Sequence, residues 1–224
     1  MPRQKPLAKP QRKTGVREAA AQATRDAILR AATKVFARYG YDGGSVEKIS
    51  QAAKSYERMI YYYFGSKEGL FVAVLEGIYK RMHDAEAAIA FDMSHPVDAL
   101  AKVIRFMLRY YRANPDFVTL LSIENLHKGR HVAKSVHARE YSSRAVAIID
   151  DILASGAARG LFRSNLIARD VYLLIAATGY FYMSNRYSLS GFLGEQLDTP
   201  EAAAHWEEFI VETVLRVVRS HIDS

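Results

Sequence analysis

The amino-acid sequence predicts an all-α protein of about nine helices, with a small three-helix unit near the N-terminus and a larger helical domain after it. Apolar residues recur at spacings of three and four through most of the 224 residues, which is the pattern of amphipathic helices. No stretch alternates apolar and polar residues for long enough to predict a strand. Pro and Gly residues fall between the periodic stretches, where helices end.

The positive charge of the chain is concentrated at its N-terminal end. Residues 1–67 contain 14 Lys or Arg and 5 Asp or Glu, whereas residues 68–224 contain 17 and 19, so the net charge of +7 arises from the N-terminal part. One basic end indicates that the chain binds a polyanion by that end. The alternative is a basic tail on an ordinary enzyme. We expect residues 1–22 to form a flexible basic arm, which either adds phosphate contacts or is a solvated tail without a role.

Composition and motifs argue against several classes of protein. The chain has no Cys, which excludes a disulfide scaffold and a thiolate metal site. Its most apolar run, from Val171 to Met183, is shorter than the roughly 20 residues that span a membrane, and the N-terminus lacks the apolar region of a secretory signal. The common phosphate-binding, nucleophile-elbow and zinc-protease motifs are absent. We therefore expect a cytoplasmic protein that is no enzyme, contacts no membrane and needs no cofactor.

The first helix is predicted from about Thr24, a capping residue, to Tyr39, with Gly40 at its end. Its predicted inward stripe consists of Ile28, Ala32, Val35, Phe36 and Tyr39.

Residues 45–67 read SVEKISQAAKSYERMIYYYFGSK and predict two short helices. A turn at Lys54 and Ser55 joins them, and Ile60 and Phe64 lie four apart on the inward face of the second. The other positions of the second helix cannot all be buried, so they form a polar and aromatic surface. Two short helices with a tight turn, the second with such a surface, are the layout of a helix-turn-helix, whose second helix enters the major groove of DNA.

Residues 24–75 resemble the DNA-binding domain of TetR/AcrR-family transcriptional regulators. The most specific motifs are F-x-x-x-G-Y, which ends at Tyr41, and Y-Y-Y-F-x-S-K-E, which begins at Tyr61. The resemblance implies that Tyr61, Tyr62 and Lys67 contact phosphates and that residues 57–59 face bases. The predicted DNA-binding residues are Ser45, Lys54, Ser55, Tyr56, Glu57, Arg58, Met59, Tyr61, Tyr62, Tyr63 and Lys67.

The turn departs from the family pattern. The family usually has Gly-Val-Ser where this chain has Lys54, Ser55 and Tyr56. The usual glycine permits a left-handed backbone, which Lys54 adopts only at a cost. We therefore expect a slightly different turn, in which Tyr56 caps the helix or contacts DNA.

Six further helices follow, and Ser66 caps the first of them, so that a phosphate fits beside Lys67 at its N-terminus. The alternative is that Lys67 is an ordinary surface charge. The predicted helices run from Lys67 to about Ala90, Pro96 to Ala113, Asp116 to Lys128, Ala133 to Gly160, Ala168 to Ser190 and Thr199 to Ile222. The predicted domains are the arm of residues 1–22, a DNA-binding domain of residues 23–66 and a ligand-binding and dimerisation domain of residues 67–224.

Residues 91–187 combine aromatic side chains with a few polar groups, as a small-molecule site requires, and the resemblance implies an inducer in this domain. The alternative is that the aromatic residues are core and the polar residues are solvated. Arg130 and Arg186 would suit an anionic ligand such as a carboxylate. The candidate ligand-binding residues are Tyr110, Phe117, Glu124, Asn125, His127, Arg130, Tyr182, Asn185 and Arg186.

The spacing of Glu124, His127 and His131 offers a candidate metal site, because a carboxylate and an imidazole three residues apart share a helix face. Gly129 lies between the two histidines and is expected to end the helix, and no second motif completes a ligand shell. We therefore predict no metal site.

The last two helices are more apolar than a domain of this size can cover, since helix nine has a continuous apolar stripe and helix eight is apolar almost all round. A homodimer that stacks both helices on their two-fold mates would cover them, and the resemblance implies the same interface. Two recognition helices about 34–36 Å apart would then read a palindromic operator. The predicted interface residues are Val171, Ile175, Trp206, Phe209, Ile210, Val214 and Val217.

These features together predict a ligand-responsive transcriptional regulator, a repressor that binds double-stranded operator DNA as a homodimer and is released by a small-molecule effector. The alternative is a helical small-molecule-binding or scaffold protein with only nonspecific affinity for DNA.

Overall fold

The computed structural model describes residues 12–220, and the side chains of these residues except 12–16, 138, 139 and 141–143. This part of the chain is helical, with no strand beyond a single bridge between Phe162 and Arg219, so the predicted all-α class is confirmed. The helices are α1 Arg12–Gly43, α2 Val46–Ala52, α3 Glu57–Phe64, α4 Lys67–Ala87, α5 Pro96–Ala113, α6 Pro115–Leu126, α7 Ala138–Ala158, α8 Ala168–Leu193 and α9 Pro200–Val218, with a 3₁₀ turn at Val132–Lys134.

Helix α1 is longer than the sequence predicts. It begins at Arg12, so part of the predicted arm is helical, while residues 1–11 lie outside the described residues. Thr24 does not cap the helix, because its hydroxyl donates to the carbonyl of Ala20. The Ala-rich segment before Thr24 favours helix strongly enough to continue past that capping signal. Gly40, with φ 72° and ψ 176°, interrupts the helical geometry at the predicted end.

The chain divides into two compact units, residues 1–74 and 75–224. This division falls eight residues after the expected end of the DNA-binding domain at residue 66. The reason is that Leu70, Phe71 and Val74, in the first turns of α4, are buried in the first unit. Helix α4 therefore supplies residues to both units.

The core of the first unit is built from α1, α2, α3 and the start of α4. Ile28, Phe36, Ile49 and Ile60 are fully buried, and the rings of Phe36 and Phe71 pack edge to face with centroids 5.0 Å apart. Phe36 requires Gly44 beside it, since a Cβ there would lie 2.6 Å from the ring.

Tyr39 was predicted to face inward with Phe36 but is exposed. The ammonium of Lys48 lies 4.7 Å from the centre of its ring, within cation–π distance.

The second unit is organised around α5, which contacts α6, α7, α8 and α9. Its apolar side, with Leu100, Ile104 and Met107, is buried. Its polar side is joined to α9 by bidentate contacts of Arg105 with Glu208 and of Arg109 with Glu207. None of the helices within residues 12–220 has the length and hydropathy that a membrane crossing requires.

Candidate functional site

The helix-turn-helix is held by buried apolar residues on the inner faces of its two helices. Ile49 of α2 and Ile60 of α3 are fully buried. Ser45 caps α2, as its hydroxyl oxygen accepts a hydrogen bond of 3.2 Å from the backbone N–H of Lys48. Helix α3 is only eight residues long, so it depends on this packing rather than on its own propensity.

The turn between α2 and α3 contains the strain that the sequence indicated. Lys54 has φ 50°, in the left-handed region that favours glycine. The backbone N–H of Ser55 donates to the carbonyl of Ser50 at 2.9 Å and closes the turn. Tyr56 occupies the N-cap position of α3, where its side chain makes no capping hydrogen bond.

The outer face of α3 is polar, aromatic and exposed. Tyr62 is 77% exposed, and Tyr56, Arg58 and Tyr61 are also exposed. The guanidinium of Arg58 lies 5.2 Å from the centre of the Tyr56 ring, which favours a defined orientation for both. Such a face offers phenol and guanidinium donors to phosphates and base edges.

The other predicted DNA-binding residues of α3 differ in how far they are exposed. Glu57 is exposed, whereas Met59 and Tyr63 are half-buried. The Tyr63 ring packs edge to face against that of Tyr62, with centroids 5.0 Å apart. The half-buried Tyr63 ring can therefore fix the orientation of the exposed Tyr62 ring.

Lys67 lies at the start of α4, against the end of α1. Its ammonium donates to the carbonyl of Asp42 at 3.2 Å and lies 4.7 Å from the centre of the Tyr41 ring. Partial burial lowers the pKa of Lys67, while the Asp42 carboxylate works in the opposite direction. The Ser66 hydroxyl caps α4 by accepting from the N–H of Gly69 at 2.9 Å.

A basic depression that the sequence analysis did not anticipate lies between α1 and α2. Lys34 and Arg38 of α1 and Lys48 of α2 line it, together with Tyr39. The charge excess of residues 1–67 gave a general signal, but the convergence of residues ten to fourteen positions apart depends on how the two helices pack.

The second unit contains a mostly apolar cavity of about 280 Å³. Helices α4, α6 and α8 each contribute residues at helical spacing, and α5 and α7 contribute one residue each. The residues around it are Tyr79, Met82, His83, Glu86, Tyr111, Phe117, Leu121, Asn125, Ala145, Tyr172, Leu173, Ala176, Ala177 and Tyr180.

Phenol groups supply much of the polar surface of the cavity. Burial raises the pKa of Tyr79 to about 12 and also raises the pKa values of Tyr111 and Tyr172. These hydroxyls therefore remain protonated at neutral pH. The Tyr180 hydroxyl is hydrogen bonded to that of Ser122 at 2.7 Å.

Of the nine candidate ligand-binding residues, Phe117 and Asn125 line this cavity. Tyr110 packs edge to face on Phe117 with centroids 5.6 Å apart, and Tyr182 donates to the carbonyl of Leu197 at 2.6 Å. The remaining five, which are also outside the cavity lining, are Glu124, His127, Arg130, Asn185 and Arg186.

Glu124 instead closes the loop that follows α6. One carboxylate oxygen accepts from the backbone N–H groups of His131 and Val132 at 2.8 and 2.9 Å. The other lies 2.6 Å from Nδ1 of His131, which is fully buried. Within the described residues, no three His, Asp or Glu side chains converge as a metal ion would require.

The positively charged residues that suggested an anionic ligand are engaged elsewhere. Nε of Arg130 donates to Nε2 of His131 at 3.3 Å. The Arg186 guanidinium lies 4.2 Å from the centre of the Tyr187 ring and donates to its hydroxyl at 2.8 Å, and Asn185 donates to the carbonyl of Phe181.

The seven predicted interface residues differ in exposure and fall into three groups. Val171, Ile175, Ile210 and Val214 are buried within the second unit, because α5 packs against both α8 and α9. Phe209 is 50% exposed and Val217 is 42% exposed. Trp206 is half-buried between the rings of Tyr182 and Phe209.

Comparison with known proteins assigns both parts of the chain. A family model for bacterial regulatory proteins of the tetR family matches residues 28–74, and one for the tetracyclin repressor-like C-terminal domain matches residues 96–214. The chain belongs to the TetR family of transcriptional regulators. The predicted family is therefore confirmed, and the helix-turn-helix is that of a known class of DNA-binding protein.

Two curated relatives are named repressors. The HTH-type transcriptional repressor NicS of Pseudomonas putida is 49% identical over 208 residues, which are 93% of this chain and 98% of that protein. The HTH-type transcriptional repressor SCO4008 of Streptomyces coelicolor is 31% identical over 157 residues, 70% of this chain and 76% of that protein.

Solved structures agree with the fold. A crystal structure of SCO4942 from Streptomyces coelicolor superposes with a TM-score of 0.64 and 22% identity, and covers 87% of this chain and 98% of that one. The ketosteroid transcriptional regulator KstR2 of Mycobacterium tuberculosis superposes with a TM-score of 0.61 and 19% identity, and covers 88% and 95%.

Proposed function

We propose that this TetR-family chain represses transcription in the bacterial cytoplasm, as a homodimer on a palindromic DNA operator, and that a small molecule in the cavity releases it. The observation that carries this proposal is the exposed face of Arg58, Tyr61 and Tyr62 on a helix whose inner face is buried. The two named repressors among its relatives support the same conclusion. No observation favours the alternative of a scaffold with only nonspecific affinity for DNA.

The DNA-binding surface combines two kinds of contact. Arg58 and Glu57, at the start of α3, face the base edges in the major groove, where a guanidinium can bond a guanine in a bidentate manner. Tyr62 and Lys67 bind backbone phosphates and set the register. The depression between α1 and α2 adds further phosphate contacts from its lysine and arginine side chains.

The homodimer is formed through α8 and α9, by their exposed apolar residues. Phe209 and Val217 of α9 and Phe181 of α8 are half exposed, and such exposed apolar side chains are a signal of an interface when they lie together. The buried residues of α8 and α9 hold these exposed side chains in position.

Helix α4 couples the cavity to the DNA-binding unit. Its later turns supply Tyr79, Met82, His83 and Glu86 to the cavity, whereas its first turns supply buried residues to the first unit. A ligand that favours one placement of α4 changes the population of the DNA-binding form, and by no more than its differential affinity for the two forms.

The DNA assignment is tested with a duplex that the purified chain selects from random sequence. Arg58→Ala should lower affinity for this operator tenfold or more and relax the choice of base. Tyr62→Ala and Lys67→Ala should weaken operator and scrambled duplex alike. Arg159→Ala, an exposed arginine of the second unit, is the control and should match the parent chain. If fluorescence anisotropy showed that the Arg58 variant distinguishes operator from scrambled duplex as well as the parent chain does, the assignment of α3 to base contacts would be wrong.

A further inference from the structure

The charges around the cavity are unusual for a site that is expected to receive an anion. Glu86 and His83 are its acidic and imidazole groups, and the lining contains no Lys or Arg. The arginines that would attract a carboxylate are engaged outside the cavity, as described above. The lining therefore offers one carboxyl group, with no lysine or arginine to balance it.

Glu86 is the acidic residue of the cavity lining. It is 4% exposed, and its carboxyl has neither a hydrogen bond nor an ion pair within the described part of the chain. Arg144 acts on it from a distance and favours the charged form, but burial has the larger effect and raises the pKa of Glu86. A buried carboxylate without a partner is unfavourable, so a ligand that provides the partner gains a correspondingly large interaction.

The walls around Glu86 are aromatic. The rings of Tyr111 and Phe117 stack with centroids 5.8 Å apart, and that of Tyr79 meets Phe117 edge to face at 6.0 Å. Aromatic faces attract organic cations as well as flat apolar bodies. Ala176 on α8 leaves the space open, and about 280 Å³ suits a small molecule rather than a long chain.

We propose that the effector is a small organic cation, a protonated amine on a flat ring system, whose ammonium pairs with Glu86 while its ring lies among the aromatic walls. This inference rests on the proposed function, since it takes the cavity as the effector site. It replaces the carboxylate ligand that the sequence suggested, because the structure places a carboxylate and not an arginine at the site.

The test uses the full chain and matched probes. The probes are the 2-arylethylamine, the 2-arylethanol and the 3-arylpropionate of benzene, indole and naphthalene. Within each set of three, the ring is the same and only the terminal group differs. Calorimetry at neutral pH should show the amine of at least one scaffold binding tenfold or more tighter than its alcohol, and the propionate binding weakest.

Three variants distinguish the possible results. Glu86→Gln should reduce the amine to the affinity of the alcohol and leave the alcohol within about twofold. Glu76→Gln, on the same helix but outside the cavity lining, should keep the preference for the amine. Ala176→Phe, which fills the cavity, should abolish binding of every probe, and its thermal melt should show that it is folded.

The outcomes distinguish a failure of the cation proposal from a failure of the proposed effector site. A propionate or alcohol that binds as tightly as the amine, and is lost in Ala176→Phe, overturns the cation and leaves the cavity as the effector site. An unchanged amine preference in Glu86→Gln overturns the role of that residue. If none of the nine probes binds, both the cation and the assignment of the cavity are contradicted.

Discussion

Lys54 lies in the left-handed region of the backbone at the turn between α2 and α3, with φ 50°. A non-glycine residue in this conformation is strained by about 1 kcal/mol. Lys54→Gly should therefore be more stable than Lys54→Ala by about 1 kcal/mol in denaturant unfolding, since both lose the charge and only glycine loses the strain. Equal stability of the two variants would show that the turn tolerates lysine without strain.

Glu86 should make stability depend on pH. Its pKa in the folded chain is raised above the ordinary value of 4.5, so stability is full below that value and falls as the pH rises towards the folded pKa. Glu86→Gln does not titrate, and should gain in free energy of unfolding relative to the parent chain between pH 4.5 and neutral pH. If denaturant unfolding showed a constant difference in stability between the two chains across this range, burial would not disfavour the charged form of Glu86.

The junction between α3 and α4 depends on Gly69. A Cβ at this position would lie 2.2 Å from the carbonyl oxygen of Phe64, a backbone atom that cannot move without shifting the end of α3. We expect Gly69→Ala to lower the free energy of unfolding by about 1–3 kcal/mol and to weaken DNA binding, because it displaces the recognition helix.

The matched control for this substitution is Gly191→Ala in α8. Nothing lies within 4 Å of a Cβ there, and its φ is not in the left-handed region. The change should be neutral or stabilise by up to about 1 kcal/mol, as Ala is the better helix former. A Gly69 variant as stable as the Gly191 variant would contradict the account of the junction.

The elements themselves were largely predictable, because they depend on local signals. Ser45, Ser66 and Thr199 cap helices as their sequence patterns indicate, and positive φ at Gly40 and Gly65 ends or breaks helices. The start of α1 was missed, because helix propensity in an Ala-rich segment outweighed the capping signal of a later threonine.

The cavity was predicted only in part. Phe117 and Asn125 were named, but the stripe on α4 was not, although Tyr79, His83 and Glu86 recur at helical spacing. From the sequence, only the start of that helix has a predicted role, as a phosphate site beside Lys67. Which aromatic residues meet depends on the packing of five helices, and no spacing within one helix specifies it. The same limit applies to the predicted interface residues, where exposure separates Phe209 from its buried neighbour Ile210.

The proposed function requires a homodimer. Phe209→Glu and Val217→Glu place charge on the exposed apolar face of α9, and should convert the dimer to a monomer in light scattering at micromolar concentration. Val136→Glu is the control, since Val136 is an exposed valine outside α8 and α9. Dimers that persist in both α9 variants would place the interface elsewhere.

A salt titration that also measures stoichiometry tests whether two chains bind one specific operator. Fluorescence anisotropy would follow the full chain on its selected duplex and on a scrambled duplex, from about 50 to 200 mM salt, with complex mass determined by light scattering. We expect two chains per duplex, and binding to the selected duplex at salt concentrations where the scrambled duplex has dissociated. One chain per duplex, or equal affinity for both duplexes at every salt concentration, would contradict it.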